Sequence, residues 1–148
     1  MADAPDTILL QVSPENRDLI PKKQHESDAA YDLYAAEDAV LSPGGRGAVA
    51  TGVRLQMPMD YVAEVRPRSG LALKFGVTVL NAPGTVDSGY RGEVKAILIN
   101  HGEEPFVIHR GDRIAQLLFQ KLPQVRLELA EELSESDRGE GGFGSTGR

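Results

Sequence analysis

The chain is cut into short β-branched or alternating apolar runs by closely spaced turn signals, and this spacing restricts the fold more than any other feature. "TILLQV", "AAYDLYA", "GAVATGVRLQ", "YVAEVRP", "VTVLNA", "GEVKAILIN" and "PFVIH" are separated by Pro-Gly, Gly-Gly, Asp-Ser-Gly and His-Gly steps. Many short strands at such intervals predict an all-β barrel or sandwich. "DRIAQLLFQKL" suits a helix or a buried strand by its apolar positions, and its context favours a strand. One short helix is predicted at "SGLALKF", with Ser69 as N-cap and Pro67 biasing Arg66 towards extended backbone.

The 148 residues fit a single domain, and with 41% hydrophobic residues they can bury one core. Aromatic residues make up only 5%, so Val, Ile, Leu and Ala must fill that core. The reading divides the chain into a β domain over 1–133 and a tail over 134–148, where five of the last ten residues are Gly. Such a tail is expected to be flexible unless a ligand or neighbour orders it.

Several chemistries are excluded. There is no cysteine, hence no disulfide, thiolate zinc site or cysteine nucleophile. No apolar run approaches the roughly 20 residues that span a bilayer, and the first residues lack the pattern of a secretory leader, so a cytoplasmic protein is expected. A net charge of −6 argues against nucleic acid as the main partner. It leaves room for a small phosphorylated ligand held by a few arginines. His25, His101 and His109 have no metal-ligand spacing.

The remaining candidates are each ambiguous alone. In the tail, Gly139, Gly141 and Gly144 satisfy GxGxxG, but no strand leads in and no helix can follow. A P-loop also fails, because Ser145 stands where its lysine is required. Glycine backbone can still approach phosphate closely, with Arg138, Ser145 and Thr146 as donors, although a plain linker accounts for the composition. "RPRSGLALKF" sets Arg66, Arg68 and Ser69 at a helix start that favours anions; an ordinary helix with surface arginines accounts for it equally. "LNAPGTVDSGYRGEV" reads as a tight hairpin presenting Asn81, Asp87 and Tyr90 around glycines, or simply as a turn. Asp32 interrupts an apolar, aromatic strand, and exposure on an open sheet face is its simplest explanation. "HRGDRIAQLLF" holds a turn, in which Arg113 can pair with Asp112, followed by Gln116 among apolar neighbours.

Order and joint content narrow these readings. "AAYDLYA", "RPRSGLA", "NAPGTVDSGYRGEV", "RGDRIAQLLF" and "RGEGGFGSTG" occur in succession across almost the whole chain, and in this the sequence closely resembles the homotrimeric deoxyuridine triphosphatase (dUTPase) family. Ala30, where many members have Gly, is a small departure. The resemblance implies a jelly-roll-type β-barrel subunit assembling as a homotrimer with shared active sites. It implies hydrolysis of dUTP to dUMP and pyrophosphate with Mg²⁺, which keeps uracil out of DNA and supplies dUMP for thymidylate synthesis. Asp87 is then the general base. Arg68, Ser69, Gly70 and Gln116 hold the phosphates, and Asp32 orders the waters of a metal held mainly by those phosphates. Asn81, Thr85, Val86, Tyr90 and Lys95 are expected around the nucleoside. Arg138, Phe143, Gly144 and Ser145 close over a neighbouring site, with Phe143 stacked on uracil. Two rivals share this scaffold, a dCTP deaminase and a catalytically silent binding module. The hairpin "TVDSGY" and the complete tail argue against both.

Overall fold

A computed structural model describes residues 4–147. Its strands are β1 (Leu9–Gln11), β2 (Tyr31–Tyr34), β3 (Ala39–Leu41), β4 (Arg46–Gln56), β5 (Tyr61–Arg66), β6 (Val77–Val79), β7 (Gly84–Asp87), β8 (Val94–Asn100), β9 (Phe106–Ile108) and β10 (Arg113–Lys121). A 3-10 helix covers Pro14–Leu19 and an α-helix, α1, covers Ser69–Phe75. "DRIAQLLFQKL" is therefore a strand, as its context predicts. The 3-10 helix and β3 escape the sequence reading, although Ser13 followed by Pro14 is a recognisable helix start.

The strands form two four-stranded antiparallel sheets, ordered β1-β4-β8-β6 and β2-β10-β5-β7, and a separate β3-β9 pair. The all-β expectation holds, but the barrel does not close. Each sheet ends in free edges, so this is two facing layers rather than a continuous ladder. Alternation explains which side chains face inwards. Val49, Thr51, Val53 and Leu55 of β4 are buried, as are Val94, Ala96, Leu98 and Asn100 of β8. Both sheets contribute to one apolar cluster, with Leu33, Leu98 and Leu117 fully buried. Truncating any one of these leucines to Ala would cost about 2–5 kcal/mol, through lost burial and the cavity left behind.

Two irregularities position functional segments. β4 bulges between Ala50 and Val53 against β8, with Gly52 at φ +74°. β10 shifts register between Arg113 and Ala115 against β2, and the adjacent Ile114 and Ala115 are both buried. The segment read as a tight hairpin is also different. β6 and β8 pair directly, Val77 opposite Asn100, whereas β7 between them joins the other sheet beside β5. The connection thus crosses from one layer to the other and back. A turn prediction cannot see this, because a run as short as Gly84–Asp87 is decided by its tertiary partner.

Buried Asn100 pins the adjoining loops. Its amide donates to the carbonyls of Leu41 and Glu104, and its Oδ1 accepts the Gly102 N–H. Arg110, at the turn before β10, donates to both oxygens of Asp18 and to the Glu15 carbonyl, which fastens the 3-10 helix. Among the described residues, no helix is long and apolar enough to cross a membrane.

Candidate active site

Two clefts collect most of the candidate residues. The first lies where β7 leaves one sheet and β8 re-enters the other. It encloses about 320 Å³, a size suited to a small organic ligand, and is lined by Asn81, Thr85, Val86, Asp87, Tyr90 and Lys95 among others. Alternation along β7 buries Gly84 and Val86 and leaves Thr85 and Asp87 exposed. Gly84 is confined between Val65 and the Asn81 side chain, so this approach suits a residue without Cβ. Tyr90 is half-exposed on the following turn, and its hydroxyl donates to the Glu93 carbonyl at 3.0 Å.

The second cleft is polar and is lined by Gln24, Asp28, Ala29, Ala30, Asp32, Arg68, Arg113 and Gln116. Strand register brings these together, with Gln116 of β10 opposite Asp32 of β2 and Arg66 of β5. Asp32 is buried at 7% exposure rather than exposed on an open face. Two neighbours make that burial tolerable: Gln24 Nε2 donates to its Oδ2 at 2.8 Å, and Arg113 Nη1 stands 3.9 Å away. Arg113 therefore faces Asp32 and not Asp112, whose carboxylate instead accepts the His109 N–H. Arg68 Nη1 donates to the Arg113 carbonyl at 3.2 Å. Gln24, Asp28 and Arg113 also line this cleft, although the sequence alone points to no site role for them. Gln24 and Asp28 sit in polar sequence with no signal, and only the fold reveals them.

Ser69 is the first residue of α1 and not its N-cap. Arg68 holds the capping position with extended backbone, and no side-chain capping bond forms. Ser69 and Gly70 are exposed beside Arg68 and line neither cleft. The helix ends at Gly76 in the left-handed region, with its N–H on the Leu71 and Ala72 carbonyls.

The tail residues join neither cleft. Every residue from Gln120 to Glu140 is exposed, and Phe143 is fully so. Arg138 makes a local bond, its Nε to the Gly141 carbonyl at 2.6 Å. The candidates thus fall into three spatial groups within the chain.

Among the described residues, no three His, Cys, Asp or Glu side chains gather as a metal cage. Asp32, with a carboxylate at a polar cleft and arginines nearby, fits a hard cation that takes most of its ligands from phosphate and water.

The dUTPase family model matches residues 17–147. The deoxyuridine 5'-triphosphate nucleotidohydrolase of Clostridium tetani is 48% identical over 142 residues, covering 96% of this chain and 97% of that protein. A mutant dUTPase of Staphylococcus bacteriophage 80alpha with dUpNHpp superposes with a TM-score of 0.87 at 28% identity, covering 97% of this chain and all of that one. A mutant dUTPase from phage phi11 of S. aureus, which coordinates a structural Mg(II) ion, gives 0.77 at 25% identity over 86% of this chain and 98% of that one. With the family match, this near-half identity and the shared fold spanning nearly the whole sequence, the chain belongs to the dUTPase family.

Proposed function

We propose that this protein is a dUTP diphosphatase that hydrolyses dUTP to dUMP and pyrophosphate, acting as a homotrimer in the cytoplasm with Mg²⁺. The observation that carries the reading is the position of Asp87. It is an exposed carboxylate at the end of β7, on the rim of a nucleoside-sized cleft that also contains Asn81, Tyr90 and Lys95. A base held there can take the proton of a water as its oxygen attacks the α-phosphorus. The bond from the α-phosphorus to the bridging oxygen breaks, and pyrophosphate leaves.

The second cleft supplies what the triphosphate requires. Arg68 is a guanidinium suited to paired bonds to phosphate, and Gln116 adds a neutral donor. Ser69 and Gly70, exposed next to Arg68, complete the phosphate contacts. A bound Mg²⁺ would neutralise the phosphate oxygens so that a nucleophile can approach. Asp32 would hold that ion's waters, fixed in orientation by Gln24. Asn81 and backbone groups of β7 read the uracil edge, Thr85 and Val86 line its plane, and Lys95 stands near the base. Tyr90 packs against the deoxyribose and excludes a 2′-hydroxyl.

Assembly is proposed because the three groups of residues are separate in one subunit. The nucleoside residues and the phosphate residues occupy different clefts, and the tail reaches neither. A trimer in which each site draws on neighbouring subunits unites them. Exposed apolar residues support it. Leu73 of α1 is 87% exposed, and Leu127 and Leu129, which follow β10, are 94% and 101% exposed, apolar surface that an assembly would cover. The tail then closes over a neighbour's site, with Arg138, Gly144 and Ser145 on the phosphates and Phe143 on the base.

The test is a comparison of pyrophosphate release from dUTP, UTP and dCTP, with size measured by light scattering. Fast release from dUTP alone, by a trimer, is the expected result. Comparable hydrolysis of all three would mean a generic phosphatase, and ammonia from dCTP would mean a deaminase.

A further inference from the structure

Tyr90 does not hold its own position. Its ring lies over Gly92, where a Cβ would run into the aromatic carbons, and its hydroxyl is bonded to the Glu93 carbonyl. The ring therefore moves with the turn that carries Gly92 and Glu93. That turn is gripped from outside. The Gly52 N–H donates to Glu93 Oε1 at 2.9 Å. Gly52 lies in the β4 bulge, where the ladder to β8 is interrupted, and its left-handed backbone aims the freed N–H at the turn. Arg54, two residues on, donates to the Arg91 carbonyl at 3.1 Å, but that contact is exposed. Thr51 is buried and uses its hydroxyl differently, on the Val94 carbonyl at 2.5 Å, within the sheet.

We propose that Glu93 is the positioning residue that fixes the Tyr90 ring at the sugar position, and that the β4 bulge acts through it to set the preference for a 2′-deoxyribose. The inference rests on the dUTP reading above. Its physical content is that steric exclusion is only as strong as the wall is stiff. A half-exposed tyrosine on a free turn would retreat from a 2′-hydroxyl at little cost. The side-chain oxygen, accepting a partly buried backbone N–H, removes that freedom. Without it the ring can retreat. UTP then gains access, and dUTP loses the packing of a fixed ring on its sugar.

The test measures kcat and KM for dUTP and UTP in wild type, Glu93→Ala, Glu93→Gln and Thr51→Val. In Glu93→Ala the dUTP:UTP ratio of kcat/KM should shrink by about tenfold, since displacements near 1 Å have effects of this order or larger, with the dUTP loss mostly in KM. Glu93→Gln keeps an acceptor oxygen at the same reach and should restore the ratio. Thr51→Val breaks a buried bond of the same bulge that ends on Val94 at the start of β8 and leaves the Glu93 carboxylate and its Gly52 partner in place, so it should lower Tm and leave the ratio intact. A wild-type ratio in Glu93→Ala overturns the proposal. So does a Gln variant as poor as the Ala variant, or a Thr51→Val protein that loses discrimination equally. If Glu93→Ala does not accumulate folded, Glu93→Asp withdraws the acceptor by one methylene and carries the same comparison. Wild-type protein that releases no pyrophosphate from dUTP overturns the substrate reading and this proposal together, whereas normal dUTP turnover with an unmoved ratio overturns Glu93 alone.

Discussion

Asp32 of β2 and Gln116 of β10 are direct cross-strand partners, and Gln116 is in turn opposite Arg66 of β5. Residues more than eighty positions apart in sequence thus meet on one face, with Gln24 bonded to the Asp32 carboxylate. This arrangement leaves Asp32 as an acceptor held in one orientation, which suits a group that orders metal-bound water. Asp32→Asn keeps the shape and removes the charge. The magnesium concentration for half-maximal activity should rise by about 10–100-fold, the usual effect of losing an outer-shell metal partner. Magnesium titration of dUTP hydrolysis checks this, alongside a melting curve. An unmoved midpoint would remove Asp32 from the metal.

Asp87 is exposed at the end of β7 and makes no side-chain hydrogen bond with the described residues. Replacing it should therefore leave the fold alone. Asp87→Asn should bind dUTP about as well as wild type and turn it over roughly 10²–10⁴-fold more slowly, the usual worth of a positioned general base. Calorimetric binding and steady-state hydrolysis on one preparation separate the two effects. Near-wild-type turnover would disqualify Asp87 as the base.

The sequence exposes some of this site and hides the rest for identifiable reasons. Asp87, Asn81 and Tyr90 are readable because glycines surround them, and glycine marks backbone that a ligand can approach. The strands are readable because their inward faces alternate. β7 is not, since four residues become a strand only when β5 is beside them. Burial of Asp32 is equally invisible, because its partner Gln24 lies in polar sequence without periodicity. Arg113 reads as a partner of Asp112 by proximity, yet the register shift in β10 turns it towards Asp32. The separation of the two clefts is a property of the folded chain and leaves no local trace.

Arg110 and Asp18 give a prediction on stability and pH. Two bonds, at 2.9 and 3.0 Å, join the guanidinium to both carboxylate oxygens. The Arg110 hydrogen bond holds the Asp18 carboxyl below its ordinary value of 3.8 and raises the guanidinium in turn. A depressed folded-state value means that the stabilisation is present above the ordinary carboxylate range. It is lost as pH falls through the lowered value. The pair is exposed, so its effect is small. Arg110→Ala should lower Tm at neutral pH, partly through the Glu15 and Asn16 contacts that also end on Arg110. The gap between variant and wild type should narrow once Asp18 is protonated. Melting curves across an acid series measure it, and a constant gap would show that packing and the neutral contacts are the whole effect.

The tail supplies the last prediction. Its arginine bonds within the segment, its phenylalanine is fully exposed, and neither reaches either cleft of the chain. In the role proposed for it, closing this glycine-rich segment over a nucleotide would cost conformational entropy, so contacts made only with bound ligand must exceed that cost. Base–aromatic stacking by Phe143 can supply about 1–3 kcal/mol, and a charged hydrogen bond from Arg138 is of similar size. Contacts that exist only with ligand add nothing to the free protein. Deleting the residues after Asp137 should therefore leave a trimer of unchanged Tm. Turnover should fall by at least about tenfold, which corresponds to roughly 1.4 kcal/mol in the barrier. Phe143→Ala alone should account for part of that loss and should act on dUTP binding. Light scattering, thermal melting and dUTP hydrolysis on the truncated chain decide the matter together. Full activity would make the segment a linker, and dissociation to monomers would make it a strap that holds the assembly.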